Sequence, residues 1–436
     1  MKKFLTGAAI CALSTSATTA FADVSIMYPQ WIASLVEPAI EQYEADTGTT
    51  VTSTELPVDG YDRRVAVDLA AGTAADVAVL DSFMVAELAS AGYLEALEGP
   101  LSDWDQFQYY MPGLLDVVSF DGSVYALPTD TDVRMLWYDK SNFEAAGIEM
   151  PWHPETWDDV LDAAQKVKDA TGADYAFLLP AGTKQAEAAT MQGFYMAMLG
   201  ADTKEGERNR LRNWAEGKWI GASPAITATA NLYHEVYVER ELTEPSINYA
   251  TDLSSAVREA LTNDEIGILA SGSWEWACLF DCNGLDVPDN REEIIGWTPW
   301  PGSGAEGAPA TTNISGGWAI GVNAGAEDKE AATALLTAIF DEANFKKWTL
   351  DNGRMAVRTD ISESPEYMEN AFLAQATELA ATTTGRDTYP GYQVVSALVQ
   401  DMTGAILDGV DPEDALEEYH DALVDEFGEE NVMTLE

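Results

Sequence analysis

Between Tyr125 and Tyr138 the chain reads YALPTDTDVRMLWY, with Thr129, Asp130, Thr131, Asp132 and Arg134 gathered between two apolar runs. Hydroxyls, carboxylates and a guanidinium in one short run suit hydrogen bonding to a polyhydroxylated solute, because the charged planar groups make bidentate contacts. Trp31, Trp274, Trp276 and Trp318 stand beside polar residues elsewhere, and Asp81 and Arg358 add a further carboxylate and guanidinium. A flat aromatic face accepts the C–H face of a sugar ring, while buried hydroxyls need hydrogen-bonding partners. Any one of these tryptophans is explained as well by core packing. Their shared position, at the expected ends of strands, points instead to the lining of a cleft.

Those positions follow from periodicity. Alternation of Val133, Met135 and Trp137 against Asp132, Arg134 and Leu136 predicts a strand of period two, so the polar run sits where one strand stops and another starts. Such a crossing is a natural hinge between two lobes. VSIMY after Asp23, the helical spacing of Ala33 to Asp46 and the run Thr50 to Leu56 predict a β-α-β start. A helix over Arg63 to Ala71, a strand over Asp76 to Leu80 and a helix over Phe83 to Ala91, capped by Ser82, follow. Thr156 is placed to cap the next long helix, and the chain beyond Asp328 reads as helical. Strands alternating with helices imply an α/β fold with a largely parallel sheet and a ligand edge at the strand C-termini, where Trp31 and Asp81 fall. At 436 residues the chain is too long for one core.

Charge narrows the partners. With 23 Lys and Arg against 74 Asp and Glu, the formal charge is −51, a surface that repels nucleic acid and anionic lipid. Met1-Lys2-Lys3, the apolar run Phe4 to Leu13 and Ala20-Phe21-Ala22 read as a secretory signal peptide over residues 1–22. Its removal takes away Lys2 and Lys3 and leaves 21 basic against 74 acidic residues, or −53. Cys278 and Cys282 then remain in CLFDC, and an oxidising compartment predicts a local disulfide; a two-ligand metal half-site is the alternative. Gly302, Gly304 and Gly307 match a dinucleotide loop only formally, since prolines bracket them and no helix follows. Asp130 and Asp132 begin a calcium-like D-x-D, but Arg134 takes the next ligand position. Neither a metal nor a cofactor is expected.

Six segments carry a family resemblance: ADVAVLDSFMVAELASAGYLEAL (75–97), VYALPTDTDVRMLWYDKSNFEAAGI (124–148), PETWDDVLDAAQKVK (154–168), EIGILASGSW (265–274), ISGGWAIGVNAGAEDKEAATALL (314–336) and NGRMAVRTD (352–360). In order and across nearly the whole mature chain, they resemble the extracellular sugar-binding proteins of ABC importers, in the maltose- and trehalose-type cluster of solute-binding protein family 1. The resemblance implies a periplasmic binding protein type II fold, with two α/β lobes joined by several hinge crossings around a ligand cleft. It places lobe 1 at 23–129 and 314–364, and lobe 2 at 130–313 and 365–436. It assigns ligand contacts to Trp31, Asp81, Thr131, Asp132, Trp274, Gly317, Trp318 and Arg358. A monomeric periplasmic protein that hands a di- or oligosaccharide or a sugar alcohol to a membrane permease is the expected function. A secreted glycoside hydrolase, or a binding protein for a non-sugar solute such as a polyamine, are the alternatives.

Overall fold

A computed structural model describes residues 23–58, 60–184, 187–203, 210–250, 253–278, 291–380, 383–386 and 389–435. The expected signal peptide and Cys282 lie outside these residues, as does the side chain of Cys278, so the disulfide expectation falls outside them too.

In chain order the strands that build the two main sheets are β1 (Val24–Pro29), β2 (Val51–Leu56), β3 (Val77–Asp81), β4 (Ala126–Pro128), β5 (Arg134–Asp139), β6 (Tyr175–Leu178), β7 (Ile266–Gly272), β8 (Ile295–Pro301), β9 (Thr311–Thr312) and β10 (Trp318–Val322). The helices that bear on the argument are α1 (Ala33–Thr47), α2 (Tyr61–Ala71), α3 (Ser82–Ser90), α4 (Trp157–Thr171), α5 (Gln192–Gly200), α6 (Pro224–His234), α7 (Lys329–Ile339), α8 (Glu342–Asp351), α9 (Tyr392–Leu407) and α10 (Pro412–Phe427).

The first sheet runs β2-β1-β3-β10-β4 and the second β9-β8-β5-β7-β6, one for each of two α/β lobes. Neither sheet is as parallel as the alternation of elements predicts. β1, β2 and β3 are parallel, but β10 runs antiparallel to both β3 and β4. In the second sheet β5 runs antiparallel to both β7 and β8. The reason is that β4–β5 and β9–β10 are crossings between lobes, so β10 enters its sheet from the far side and does not follow a right-handed crossover helix.

Every residue of β3, β5 and β7 is buried. The period-two pattern around Val133 therefore marks two covered faces, and Arg134 and Asp139 are buried with their apolar neighbours. Helices supply the covers: α1, α7 and α8 pack together on the first lobe, and α6, α9 and α10 on the second. Thr156 caps α4 through a capping box with Asp159, as its sequence predicts, an arrangement worth about 1 kcal/mol. Asp81, and not Ser82, is the N-cap of α3, its Oδ1 accepting the Phe83 N–H at 3.4 Å. The C-terminal part is not wholly helical. Val432–Thr434 joins Lys218–Ala222 and Arg212–Asn213 in a small third sheet, too short in each piece to show a period.

Candidate functional site: a charged and aromatic seam between the lobes

Two crossings lie side by side. Residues 129–133 lead from β4 to β5, and 313–317 lead back from β9 to β10. The Thr131 and Ser315 hydroxyls are 2.6 Å apart, and Thr131 also donates to the Gly316 carbonyl at 3.2 Å. Asp132 accepts the Gly316 N–H and Asp130 the Trp318 N–H, both at 3.2 Å. Gly317 has φ +133°, and a Cβ there would meet the Asp130 carbonyl at 2.3 Å, so only glycine lets the strands cross this closely. The polar run is thus the fastening of one crossing to the other.

Aromatic rings flank this fastening. Trp31, just past β1, meets Trp318 edge to face at 5.5 Å, and Tyr61 and Trp348 extend the group at 6.1 and 6.2 Å. The Arg354 guanidinium stands 4.7 Å over Trp31 and reaches Asp130 at 3.4 Å. On the second lobe Trp274 follows β7, with Arg134 over its ring and its Nε1–H donating to Glu275 at 2.9 Å. A Cβ on Gly272 would lie 2.0 Å from that ring, so the glycine is what lets Trp274 fold back on the strand end.

Charges close the seam. Asp81, opposite Trp318 in the β3–β10 register, accepts from Arg386 Nη2 at 3.2 Å. The other arm of Arg386 donates to Glu187 at 2.6 Å, and Glu187 also accepts from Tyr392 and Ser396. Burial pushes the Asp81 carboxyl up to about 6, with Arg386 opposing and Glu187 adding to the rise. Burial and the nearby Asp81 and Glu187 raise Asp62 well above the usual carboxylate range, and its Oδ1 is buried without a hydrogen-bond partner. Burial lowers Arg134 to about 10, against the pull of Asp132. Burial also works against the charge of Arg386, but Asp81 and Glu187 outweigh it and hold its proton more tightly than usual.

Of the residues singled out from sequence, Trp31, Asp81, Thr131, Asp132, Trp274, Gly317 and Trp318 lie along this seam. Arg358 does not. It is fully buried in the first lobe, where Nε and Nη2 bind Asp360 and Nη1 donates to the Phe340 carbonyl. The guanidinium that does reach the seam from that stretch is Arg354. Trp276 is also elsewhere, stacked on Phe372 at 4.7 Å inside the second lobe. Sequence reading singled out Arg134 in its polar run but missed Asp62, Glu187, Glu275, Arg354 and Arg386 as site residues. Arg258, beside Glu275, joins Arg134, Arg354 and Arg386 there, and this gathering of four guanidiniums from distant parts of the chain is visible only in the fold.

Two α/β lobes with paired crossings and a polar, aromatic seam between them define a two-lobed solute-binding architecture. Comparison with known proteins agrees. The family model described as "Bacterial extracellular solute-binding protein" matches residues 28–344, and the chain belongs to that family. A relative in Rhizobium radiobacter, named a lactose-binding protein, is 23% identical over 355 residues, covering 77% of this chain and 75% of that one. Among solved structures, a Thermotoga lettingae ABC transporter solute-binding protein bound with α-D-tagatose matches with a TM-score of 0.78 at 23% identity, covering 92% and 99% of the two chains. An Agrobacterium radiobacter solute-binding protein in complex with ribitol matches with a TM-score of 0.77 at 18% identity, covering 93% and 99%. The family is extracellular or periplasmic, and no helix among the described residues is long and apolar enough to cross a membrane.

Proposed function

We propose that this protein captures a di- or oligosaccharide or a sugar alcohol between its lobes and delivers it to the membrane permease of an ABC importer. The observation that carries this reading is the composition of the seam. Trp31 and Trp318 from one lobe and Trp274 from the other bring aromatic faces to a site where carboxylates and guanidiniums alternate. Each guanidinium there already has a carboxylate: Arg134 with Asp132, Arg354 with Asp130, Arg386 with Asp81 and Glu187, Arg258 with Glu275. Such pairs offer donors and acceptors to hydroxyls but no surplus positive charge to a phosphate or carboxylate ligand. The lactose-binding relative and the tagatose- and ribitol-bound neighbours support an uncharged polyhydroxylated solute.

On this reading residues 1–22 are a signal peptide, the mature chain works as a monomer in the periplasm, and the lobes divide at 23–129 with 314–364 and 130–313 with 365–436. Trp31, Asp81, Thr131, Asp132, Trp274, Gly317 and Trp318 line the solute, and Asp62 offers its free oxygen to a hydroxyl. A thermal-shift screen against sugars, polyols, sugar phosphates and polyamines tests it. A solute present at a hundred times its dissociation constant stabilises the fold by about 2.7 kcal/mol. Sugars or polyols should raise the melting temperature without release of reducing ends; stabilisation by polyamines or sugar phosphates alone would overturn the assignment.

A further inference from the structure

Gly316 and Gly317 are glycines for different reasons. Gly317 needs the backbone freedom of its φ of +133°, whereas Gly316 has no positive φ and is glycine for room. A Cβ on Gly316 would lie 2.9 Å from Asp132 Oδ2, and 3.0 and 3.2 Å from Nε2 and Oε1 of Gln192. A carboxylate and an amide thus converge on one point beside the returning crossing. Gln192 belongs to neither crossing; it is the first residue of α5.

Its approach to that point is irregular. Glu187–Met191 form a single π-helical turn that runs straight into α5, a local geometry that is rare and recurs at functional sites. α5 is then tied to the strand before the crossing, the Met196 carbonyl accepting from the Thr312 hydroxyl at 3.1 Å. The Gln192 side chain is 2% exposed, yet its Oε1 has no hydrogen-bond partner. A methionine would fill the same space without that cost, so packing does not explain the amide. At the far end of the same crossing Asn313 is also buried; its Oδ1 accepts the Arg134 N–H at 3.0 Å, while its Nδ2 has no partner. An unpaired acceptor and an unpaired donor suit a group that both gives and takes a hydrogen bond, as a hydroxyl does.

We propose that Gln192 is a specificity-determining residue of the solute site, its amide oxygen accepting the proton of one solute hydroxyl beside Asp132. This rests on the solute-capture reading and adds what the site selects at that position. A hydroxyl has a proton to give. A carboxylate, a phosphate or an ether oxygen has none and would face the two acceptor oxygens of Asp132 and Gln192 with nothing to offer them. A deoxy position would leave the buried amide oxygen unpaired, which is how a polar site rejects an analogue that lacks its hydroxyl. The favoured solutes are neutral and carry a free hydroxyl here.

Calorimetry on the full chain, with a sugar or polyol from the thermal-shift screen and the set of its monodeoxy analogues, tests this. In Gln192→Met the affinity for the parent solute should fall roughly ten- to hundredfold, while the affinity for one analogue stays at the wild-type value. Discrimination then collapses at one hydroxyl and persists at the others. Gln192→Asn keeps the amide but draws it back by one carbon; it should weaken the same discrimination and serves where Gln192→Met fails to fold. Equal losses for the parent and every analogue would show Gln192 supporting the crossing and would overturn the assignment. Unchanged discrimination in a folded variant would overturn it too, as when Oε1 meets only a water. Failure of the capture reading looks different: the wild type itself would bind no sugar or polyol, and the Gln192 assignment would fall with it.

Discussion

The guanidinium of Arg134 stands 4.0 Å over the ring of Trp274, although Arg134 opens β5 and Trp274 lies two residues past the end of β7. The pairing is direct: Arg134 is opposite Gly272 in the β5–β7 register, and Trp274 folds back over that glycine. A cation over an indole in a desolvated site is worth about 2 kcal/mol or more, so the ring and the charge hold each other in place. Trp274→Ala and Trp318→Ala should each reduce sugar affinity by roughly tenfold or more, as the loss of an aromatic anchor does. Isothermal calorimetry on variants with wild-type circular dichroism is the measurement. Unchanged affinity in both would place the solute elsewhere.

Asp81 predicts a pH dependence. Its carboxyl sits at about 6 in the folded chain against a reference of 3.8, so the fold prefers the neutral form. The stability this contributes is complete below 3.8 and is lost as pH rises through about 6. Asp81→Asn cannot titrate. The melting temperature of Asp81→Asn relative to wild type should therefore move in the mutant's favour between pH 5 and pH 8. A gap that stays constant, or widens the other way, would contradict this environment for Asp81.

Arg358 should behave as an anchor of the first lobe. It is fully enclosed, and its guanidinium satisfies Asp360 and the Phe340 carbonyl at once. Removing one partner of a buried pair costs about 3–5 kcal/mol, because the other charge is left without compensation. Urea denaturation of Arg358→Leu should show a loss of that order, while the folded fraction keeps its sugar affinity. A stable variant with abolished binding would return Arg358 to the ligand.

Salt should stabilise the protein. At a formal −51 the compact chain repels itself, and the screening length grows from about 8 Å at physiological salt to about 30 Å at 0.01 M. The melting temperature should rise with sodium chloride between these limits; indifference to salt would show the surface carboxylates to be too dispersed to matter.

What could be read in advance was what the chain writes locally. The Thr129–Asp132 run interrupts two apolar stretches, and the glycine pair Gly316-Gly317 precedes Trp318, so both crossings left a mark in sequence. The two-lobed α/β fold was legible from the alternation of elements and from the family resemblance. The ion pair from Glu187 to Arg386 left none, because it joins residues 199 positions apart and neither lies in a periodic stretch that names a partner. Arg354 and Arg358 show a finer limit. Both belong to one short motif, and a bend at Val357 turns one towards the seam and the other into the lobe. Side-chain direction at a bend depends on packing around it, which the motif does not contain.

The position of β10 bears on how the protein reaches its native state. Val77–Asp81 must wait for Trp318–Val322, some 240 residues further along, before the first sheet gains its fourth strand. On the proposed export from its N-terminus, the chain cannot complete that sheet until nearly three quarters of it has emerged. Pairings so distant in sequence form slowly, since the intervening loop must be closed before the contact is rewarded. The first sheet therefore lacks its fourth strand for as long as Trp318–Val322 is absent, and on the proposed export route the N-terminal part would cross before its own sheet could close.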